Sequence, residues 1–352
     1  MKETQYSLGI RSVIGDRENT FSYESADGVT PKDSFSESEL LIADEAEVDR
    51  EDTVLVVQSG FGFLGPVMAT KAERGYVTVA DTSARATELT RRNMKANDID
   101  NFETASPAFY SELDRKYDTV VYAPGEYEPV EAVKHRISDL TGLLAESGKL
   151  FVSGRKETGI NRYTDLLDSS EGELEKIATD GGYSLHAFQG PAVDYGSPEK
   201  SFERNEGEFE TDFHTYPGLF SPDQMDEATR ILSETVDTAE EDEVLDLACG
   251  YGALGITLEK TSGCDVTYTD DSSLAVHFTE RNLEANGLES RAIHGDVLDK
   301  VDGNFDIIVS NPPTHAGRGV TEEFFSSSAE HLKDGGELYI VCNRIMAFED
   351  RL

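Results

Sequence analysis

The chain repeats one pattern of short apolar runs and glycine turns, once in each half of its 352 residues. In the first copy, Thr53-Val54-Leu55-Val56-Val57 runs into Gly60-Phe61-Gly62-Phe63-Leu64-Gly65. In the second, Val244-Leu245-Asp246-Leu247 runs into Gly250-Tyr251-Gly252-Ala253-Leu254-Gly255. An apolar run that ends in a glycine turn is typical of a buried strand that leads into a helix. The repeat therefore predicts that one type of domain occurs twice in this chain.

Strand-like and helix-like segments alternate in both copies. In the first copy, the strand-like runs Tyr76–Ala80 and Tyr117–Tyr122 follow in order, with the helical stretch Ala84–Asn97 between them. Val266–Thr269 and Phe305–Val309 occupy the same places in the second copy. This alternation is the signature of a parallel sheet with helices on its faces.

We expect an α/β fold of two tandem Rossmann-like domains with mostly parallel sheets flanked by helices. A short strand pair around Tyr6–Tyr23 would precede the first sheet. The domains would span residues 1–195 and 196–352, with their boundary near the Gly-, Pro- and Glu-rich stretch 190–210.

The formal net charge is -39, from 70 acidic and 31 basic residues. The acidic residues are spread along the whole chain, and 38% of the residues are hydrophobic. Both observations favour a folded protein adapted to a very salty, halophilic cytoplasm over a disordered one. The acidity argues against a nucleic-acid partner, since like charges repel. It does not exclude one, because charges interact over only roughly 3 Å at molar salt.

Several classes of protein are disfavoured by simple features. The three cysteines, Cys249, Cys264 and Cys342, are too few and too scattered for a disulfide framework or a zinc site, so we expect no metal. No apolar run reaches the length of a membrane span, and the N-terminus lacks the core of a signal peptide. We therefore expect a cytoplasmic monomer without a membrane partner.

The two copies differ where strands end. Asp246 in the second copy corresponds to Val56 in the first, and Asn311-Pro312-Pro313-Thr314 corresponds to Ala123-Pro124-Gly125-Glu126. Ligands of open α/β sheets bind at the carboxyl ends of the strands. We therefore interpret the first copy as a degenerate domain, kept for structure or substrate docking, and assign the chemistry to the second.

The second glycine turn is followed by acidic residues at the spacing of a nucleotide-type cofactor site. Asp270 follows Gly250 at the end of the next strand, where an acid binds ribose hydroxyls. This spacing alone fits NAD as well as S-adenosylmethionine. S-adenosylmethionine is favoured because Asp246 could bind the methionine amino group, Asp296 could reach the adenine amino group, and a dehydrogenase does not need the Asn-Pro-Pro corner. The expected cofactor-binding residues are Asp246, Ala248, Gly250, Gly252, Asp270, Asp296 and Asn311.

With these residues assembled, the second copy closely resembles class I S-adenosylmethionine-dependent methyltransferases. The whole chain resembles the RsmC-type ribosomal RNA small-subunit methyltransferases, which have tandem domains and modify the N2 amine of a guanine. The resemblance also suits a haloarchaeal source. The motifs that carry it are Pro217-Gly218-Leu219-Phe220-Ser221, Val244–Gly252, Ser310–His315 and Asp334–Leu338.

The resemblance implies a catalytic role for Asn311, Pro312 and Pro313. The Asn311 side-chain oxygen and the Pro312 carbonyl would each accept one hydrogen of the target amine and direct its lone pair toward the methyl group. Thr314, His315 and Phe220 are expected to contact the substrate, small-subunit ribosomal RNA. The family usually has an aromatic residue after the second proline, on which the target base stacks. Because this chain has Thr314 there, we expect another ring to take that role.

Two alternatives remain open from the sequence. One is methylation of a different amine, such as adenine N6 or a protein glutamine amide. The other is a non-catalytic RNA- or ribosome-binding factor.

The second copy ends at Leu352, shortly after Val341, whereas the first continues through the strand Tyr183–Phe188. We therefore expect the second domain to lack its last strands. Their absence would leave Leu338–Val341 as an apolar edge prone to association.

Overall fold

The structure is a computed structural model that describes residues 5–14, 17–206, 209–313 and 317–341. It divides into two compact units, with the boundary between Pro198 and Glu199, and the short segment Ser83–Arg85 is grouped with the second unit. We call them the N-terminal unit and the C-terminal unit and describe each by itself.

The N-terminal unit is an α/β domain. Its strands and helices are β1 (Tyr6–Ile14), β2 (Arg17–Ser25), α1 (Glu37–Glu45), β3 (Thr53–Val57), α2 (Leu64–Lys71), β4 (Tyr76–Ala80), α3 (Ala84–Ala96), β5 (Phe102–Ala105), β6 (Tyr117–Tyr122), α4 (Val130–Gly142), β7 (Leu144–Arg155), α5 (Ile160–Asp168), β8 (Glu173–Asp180) and β9 (Tyr183–Gln189). The main sheet has the order β5-β4-β3-β6-β7-β9-β8. Strands β5 to β7 pair in parallel, and β9 and β8 extend the sheet in antiparallel fashion.

The C-terminal unit repeats the parallel part of this sheet. Its elements are β10 (Lys200–Glu206), β11 (Phe209–Thr215), α6 (Glu227–Thr235), β12 (Glu243–Leu247), α7 (Ala253–Ser262), β13 (Asp265–Asp270), α8 (Ser273–Ala285), β14 (Arg291–His294), β15 (Phe305–Ser310), α9 (Arg318–His331) and β16 (Leu332–Ile340). The order β14-β13-β12-β15-β16 matches β5-β4-β3-β6-β7 strand for strand, and every pair is parallel. The predicted α/β fold with mostly parallel sheets is therefore confirmed.

The central strands explain why apolar runs in the sequence predict the sheet correctly. β3 and β12 lie in the middle of their sheets, and four of the five residues in each are buried. A strand covered by helices on both faces needs apolar residues at successive positions, not alternate ones. Asp246 interrupts this pattern in β12 and is itself buried, so its carboxylate needs partners within the protein.

A β-hairpin precedes each sheet. The pair β1–β2 agrees with the strand pair expected around Tyr6–Tyr23, but the sequence does not predict the equivalent pair β10–β11. The composition of the stretch 190–210 indicates a boundary, yet β10 starts inside it at Lys200. This strand has one apolar residue, Phe202, among polar and charged ones, which is why it resembles a linker.

β16 is the last strand of its sheet in the part of the chain that the structure describes. The apolar edge expected at Leu338–Val341 lies at the end of this strand, and residues after Val341 lie outside the described ranges. The association at this edge stays a prediction. None of the helices in the described ranges is long and apolar enough to cross a membrane.

Two asparagines on one helix hold the hairpin in each unit. In the C-terminal unit, the Asn282 side chain accepts the His214 N–H at 2.7 Å and donates to the His214 carbonyl at 2.9 Å. Asn286, one turn later, does the same to Asp212 at 3.1 and 2.8 Å. The side-chain amides of Asn282 and Asn286 thus bond to β11 as the backbone of a neighbouring strand would. They can do so because residues two apart in a strand present their backbone groups to the same side.

The same device recurs in the N-terminal unit. Asn93 bonds to the backbone N–H and carbonyl of Glu24, each at 2.8 Å, and Asn97 bonds to those of Ser22 at 2.9 and 2.7 Å. Asn93 also donates to the Phe61 carbonyl at 2.7 Å, within the glycine turn. Four asparagines of the repeat are therefore explained by packing of the hairpin.

Replacing Asn282 with Ala is expected to lower the free energy of unfolding of the C-terminal unit by about 3 kcal/mol. The substitution leaves three backbone groups without this partner: the buried Tyr251 carbonyl at 2.8 Å, and the part-buried N–H and carbonyl of His214. Asn286→Ala is the matched control: Asn286 is only half-buried and its backbone partners can reach water, so a loss of about 1 kcal/mol is expected. Denaturant unfolding at fixed high salt measures both. Equal losses for the two variants would contradict the assignment.

Candidate functional site

Polar side chains gather at the carboxyl edge of the C-terminal sheet. Asp246 lies in β12, Asp270 ends β13, and Asn311 follows the last residue of β15. Because β12 pairs in parallel with both neighbours, these three positions lie along one edge. The loops that leave this edge carry the glycine turn and the Asn-Pro-Pro corner. The fold therefore brings together most of the residues predicted for the site.

The glycine turn joins β12 to α7 and has a left-handed backbone at three positions. Ala248, Gly250 and Gly252 have φ of 61°, 61° and 84°. A Cβ built on Gly250 meets no described atom within 4 Å, so space is open beside the loop at this position. The Gly250 N–H donates to Asp270 Oδ2 at 2.9 Å, and the Gly250 carbonyl accepts from the Thr279 hydroxyl at 3.0 Å. These two hydrogen bonds hold the loop in place.

Asp246 is buried, and its Oδ2 accepts the Gly255 N–H in the first turn of α7 at 2.8 Å. Burial, and to a lesser degree the charge of Asp270, raise the pKa of the Asp246 carboxyl to about 7. Such a carboxyl is easily converted to the ionised form by a cationic group that binds next to it. This is the electrostatic setting expected for a ligand with a positively charged amino group.

Asp270 bonds to two backbone N–H groups through its two oxygens. Oδ2 accepts from Gly250 and Oδ1 from Ser272, each at 2.9 Å. Burial raises its pKa to about 6, although these hydrogen bonds oppose the shift. A carboxylate has about four acceptor sites, so Asp270 retains capacity for hydroxyl donors such as those of a ribose.

The Asn-Pro-Pro corner is tied to the glycine turn through Ser310. The Ser310 hydroxyl donates to the Leu247 carbonyl at 2.6 Å, which links the carboxyl ends of β15 and β12. Asn311 is half-buried, and its amide nitrogen donates to Thr229 Oγ1 at 2.8 Å and to Asp226 Oδ2 at 3.3 Å. The Ser310 hydrogen bond thus couples the ends of β15 and β12 directly, and the Asn311 bonds hold the side chain of the corner itself.

An apolar recess lies beside the two prolines. The prolines, four residues of α9 including two aromatic rings, and the last residue of β16 line it. These residues are Pro312, Pro313, Val320, Thr321, Phe324, Phe325 and Ile340. Phe324 is buried in the core, whereas Phe325 is half-buried. The recess supplies aromatic surface next to the corner, where the sequence has Thr314 in place of a ring.

The corresponding positions of the N-terminal unit are filled by its own residues. A Cβ built on Gly60 comes within 2.8 Å of the Thr30 carbonyl oxygen, so the chain itself lies against this glycine turn. Val56, the counterpart of Asp246, is fully buried. At the end of β6, Arg136 is ion-paired with Glu128 and bonded to the Tyr122 hydroxyl. The polar edge of the C-terminal unit therefore has no equivalent at these described positions.

The remaining predicted site residues lie in several places. Asp296 is buried, two residues beyond the end of β14. Phe220 is 62% exposed, in the segment that leads to α6. Thr314 and His315 lie outside the described residues. The roles given to these four residues, like those of the other site residues, stay predictions. No group of three or more His, Cys, Asp or Glu residues suitable for a metal ion occurs in the described ranges.

Two residues hold the Asn311 amide, and neither was predicted to contact it. Asp226 is the N-cap of α6 and Thr229 lies in its first turn. Their local signal in the sequence is that of an ordinary helix start, an aspartate followed three residues later by a threonine. Nothing in that signal points to a residue so much later in the chain, so only the fold reveals the contact.

Comparisons with known proteins identify one family for both copies of the repeat. The family model described as Methyltransferase small domain matches residues 21–187 and 210–352, one match for each copy of the repeat. Ribosomal RNA small subunit methyltransferase C of Pectobacterium atrosepticum is 32% identical over 250 residues, which cover 68% of this chain and 69% of that protein. A protein of the same name from Haemophilus influenzae is 31% identical over 225 residues, 60% of this chain and 67% of that one.

A solved structure has the same overall fold. The T. thermophilus 16S rRNA N2 G1207 methyltransferase (RsmC), in complex with AdoMet and guanosine, aligns with a TM-score of 0.79 at 26% sequence identity. The alignment covers 94% of this chain and 89% of that one.

Affinity for S-adenosylmethionine is expected to fall by about 20-fold between pH 7.5 and pH 5.5. A bound ammonium group stabilises the ionised Asp246 carboxylate, so its pKa falls on binding, and affinity is lost as pH drops below the free-state value of about 7. Asp246→Asn removes the more strongly shifted of two titrating carboxyls and is expected to bind weakly with a much smaller pH dependence, which comes from Asp270 with its pKa of about 6. Calorimetry at molar salt measures both. An unchanged pH profile in Asp246→Asn would contradict the role of Asp246.

The two glycine turns offer a matched pair of substitutions. Gly250→Ala puts a methyl group into the open space and strains a left-handed residue by about 1–2 kcal/mol, so cofactor affinity is expected to fall by about tenfold or more with a small drop in Tm. Gly60→Ala causes similar backbone strain and also a collision with the Thr30 backbone. Its Tm is therefore expected to fall further than that of Gly250→Ala, while its cofactor affinity stays unchanged. Thermal unfolding and calorimetry distinguish the two. Loss of affinity in Gly60→Ala would show that the N-terminal unit also affects binding.

Proposed function

This chain belongs to the methyltransferase small domain family and, within it, to the ribosomal RNA small subunit methyltransferase C proteins, and we propose that it methylates the N2 amine of a guanine in small-subunit ribosomal RNA. S-adenosylmethionine is the proposed cofactor. The observation that carries the proposal is the Asn-Pro-Pro corner beside the open glycine turn, linked by the Ser310 to Leu247 hydrogen bond of 2.6 Å.

The residues of the glycine turn fit the proposed cofactor. Asp246 would bind its amino group, Asp270 its ribose hydroxyls, and Gly250 leaves space for its close approach to the backbone. Ala248 and Gly252 shape the same turn, and Asp296 is proposed for the adenine amino group. When bound, the cofactor supplies an electrophilic methyl group on a sulfonium sulfur.

Asn311 and Pro312 would prepare the target amine. An exocyclic amine is a weak nucleophile because its lone pair is delocalised into the ring of the base. The Asn311 side-chain oxygen and the Pro312 carbonyl each accept one amine hydrogen, which orients the lone pair out of the ring plane and toward the methyl group. The rigid prolines fix both acceptors before the base arrives. Positioning of this kind requires no strongly basic residue, because the amine releases its proton after the new bond has formed.

The base must leave its stack to reach the corner. The recess lined by Phe324 and Phe325 lies beside the same prolines and offers aromatic surface for one face of the base. Stacking of a base on an aromatic side chain contributes roughly 1–3 kcal/mol. We propose that this surface substitutes for the ring that Thr314 lacks.

We propose that the N-terminal unit serves as a structural or RNA-docking domain. In this unit, the Arg136–Glu128 ion pair fills the position that corresponds to the Asn-Pro-Pro corner, and the glycine turn lies against Thr30. A ribosomal RNA substrate would place the protein in the cytoplasm, where ribosomal subunits mature. We propose a monomer, since a single copy of the chain contains all the residues proposed for the reaction.

Asn311→Ala is expected to lower the methyl-transfer rate by about 100-fold or more, because one of two orienting acceptors is lost. The substrate is small ribosomal subunits from cells that lack the gene for this chain, with radiolabelled cofactor at molar salt. Asn304→Ala is the control, because the Asn304 side chain precedes β15 and, within the described ranges, bonds only to backbone carbonyls of α9 and β16. A wild-type rate in Asn311→Ala would refute the mechanism.

The identity of the product distinguishes the alternatives. Digestion of the labelled RNA to nucleosides is expected to give N2-methylguanosine. Label in N6-methyladenosine, or in glutamine of a ribosomal protein, would instead support one of the other amine methylations. Absence of cofactor binding in calorimetry would favour a non-catalytic RNA-binding factor.

A further inference from the structure

We propose that Asp226 and Thr229 are positioning residues that fix the orientation of the Asn311 amide, so that its oxygen, and not its nitrogen, faces the substrate amine. This inference rests on the proposed function of Asn311. It adds two residues from a different part of the chain to the machinery of methyl transfer and assigns them a role in choosing between two states of one side chain.

The orientation of an asparagine side chain decides whether it can accept or donate. Its oxygen and its NH2 group are nearly identical in shape, and rotation of the amide by half a turn exchanges them. An amine substrate needs acceptors for its hydrogens. An Asn311 amide with its NH2 group toward the amine would repel the substrate, although the site would have almost the same shape.

The partners of Asn311 discriminate between the two orientations. The Asn311 nitrogen lies 2.8 Å from Thr229 Oγ1 and 3.3 Å from Asp226 Oδ2, so both hydrogens of its NH2 group have acceptors. If the amide rotated, its oxygen would lie against the carboxylate oxygen of Asp226, which can only accept when ionised. The electrostatic repulsion disfavours that state and leaves Oδ1 on the side away from α6.

The two partners are themselves held in place. Asp226 Oδ2 accepts the backbone N–H groups of Ala228 at 2.9 Å and of Thr229 at 3.2 Å, which caps α6. Thr229 is buried, at 6% exposure. The same oxygen therefore starts the helix and bonds to the Asn311 amide, so the position of the acceptor is fixed by the helix start and does not depend on the substrate.

The N-terminal unit lacks this arrangement at the equivalent helix. The repeat aligns Ser36 and Glu39, at the start of α1, with Asp226 and Thr229. In the part of the chain that the structure describes, Ser36 makes no side-chain capping bond. Glu39 is buried and accepts from the Ser59 hydroxyl at 2.6 Å. Asp226 and Thr229 thus occur in the copy that has Asn311. Other residues replace both of them in the copy that has Ala123 at the position of Asn311.

Thr229→Val, which removes the hydroxyl at nearly constant volume, is expected to slow methyl transfer at saturating cofactor and ribosomal subunit by about tenfold, the equivalent of one hydrogen bond. Thr229→Ser restores the acceptor and is expected to recover most of the rate. The cofactor Kd from calorimetry is expected to stay within about twofold of wild type, since Asn311 itself and the residues of the glycine turn are unchanged. Asp226→Ser, which keeps a capping oxygen but withdraws it from Asn311, is expected to lose rate with little loss of Tm.

Thr257→Val is the control for loss of a buried hydroxyl. Thr257 is also buried, and within the described part of the chain its hydroxyl bonds only to the Ala253 carbonyl of its own helix. It is expected to reduce Tm as much as Thr229→Val while the rate stays at the wild-type level. A rate loss in Thr257→Val equal to that in Thr229→Val would mean that general destabilisation explains both.

A double-mutant cycle gives the decisive readout. If Thr229 acts through Asn311, Thr229→Val has no further effect on the single-turnover rate in an Asn311→Ala background. An equal tenfold loss in both backgrounds would overturn the positioning role. Wild-type rates in Thr229→Val and Asp226→Ser, with an inactive Asn311→Ala, would overturn this inference alone. A wild-type rate in Asn311→Ala would instead overturn the proposed function.

Discussion

The architecture of the site depends on a few asparagine side chains that replace missing backbone partners. Asn282 is fully buried and joins three separate segments: α8, the hairpin strand β11 and the Tyr251 carbonyl in the glycine turn. Buried backbone groups without partners cost about 1–3 kcal/mol each, so this side chain both stabilises the unit and fixes the shape of the loop. Asn93 repeats the arrangement in the N-terminal unit. The same contact therefore maintains the loop geometry in both copies, whether or not the loop carries a ligand site.

The difference between the two copies is a difference in what fills one edge of a sheet. In the C-terminal unit, Asp246 and Asp270 lie close enough for the charge of one to raise the pKa of the other. Two nearby carboxyls with raised pKa values are costly to ionise in the free protein, and a cationic ligand relieves that cost. In the N-terminal unit, Val56 replaces one of these two carboxyls with an apolar side chain, and the contact of Gly60 with Thr30 removes the space.

Strands and turns could be predicted from the sequence because local rules determine them. Thr53–Val57 and Tyr117–Tyr122 were predicted to the residue, since buried parallel strands are continuous apolar runs. The hairpin β10–β11 was missed because β10 is almost entirely polar and so resembles a loop. The contact of Asp226 with Asn311 could not be predicted either, because the two residues lie far apart in the chain and each has an ordinary local explanation. The sequence thus indicated the residues proposed for the chemistry, and only the fold brought Asp226 and Thr229 into contact with Asn311.

The Arg136–Glu128 pair also bears on how a duplicated domain can change over time. Once a guanidinium and a carboxylate are largely buried together, removal of either one leaves an uncompensated charge, at a cost of about 3–5 kcal/mol. That cost is comparable to the whole stability margin of many domains. A return to a polar, ligand-accepting corner would therefore require both residues to change at once. The ion pair therefore stabilises the filled corner of the N-terminal copy against single substitutions of either residue.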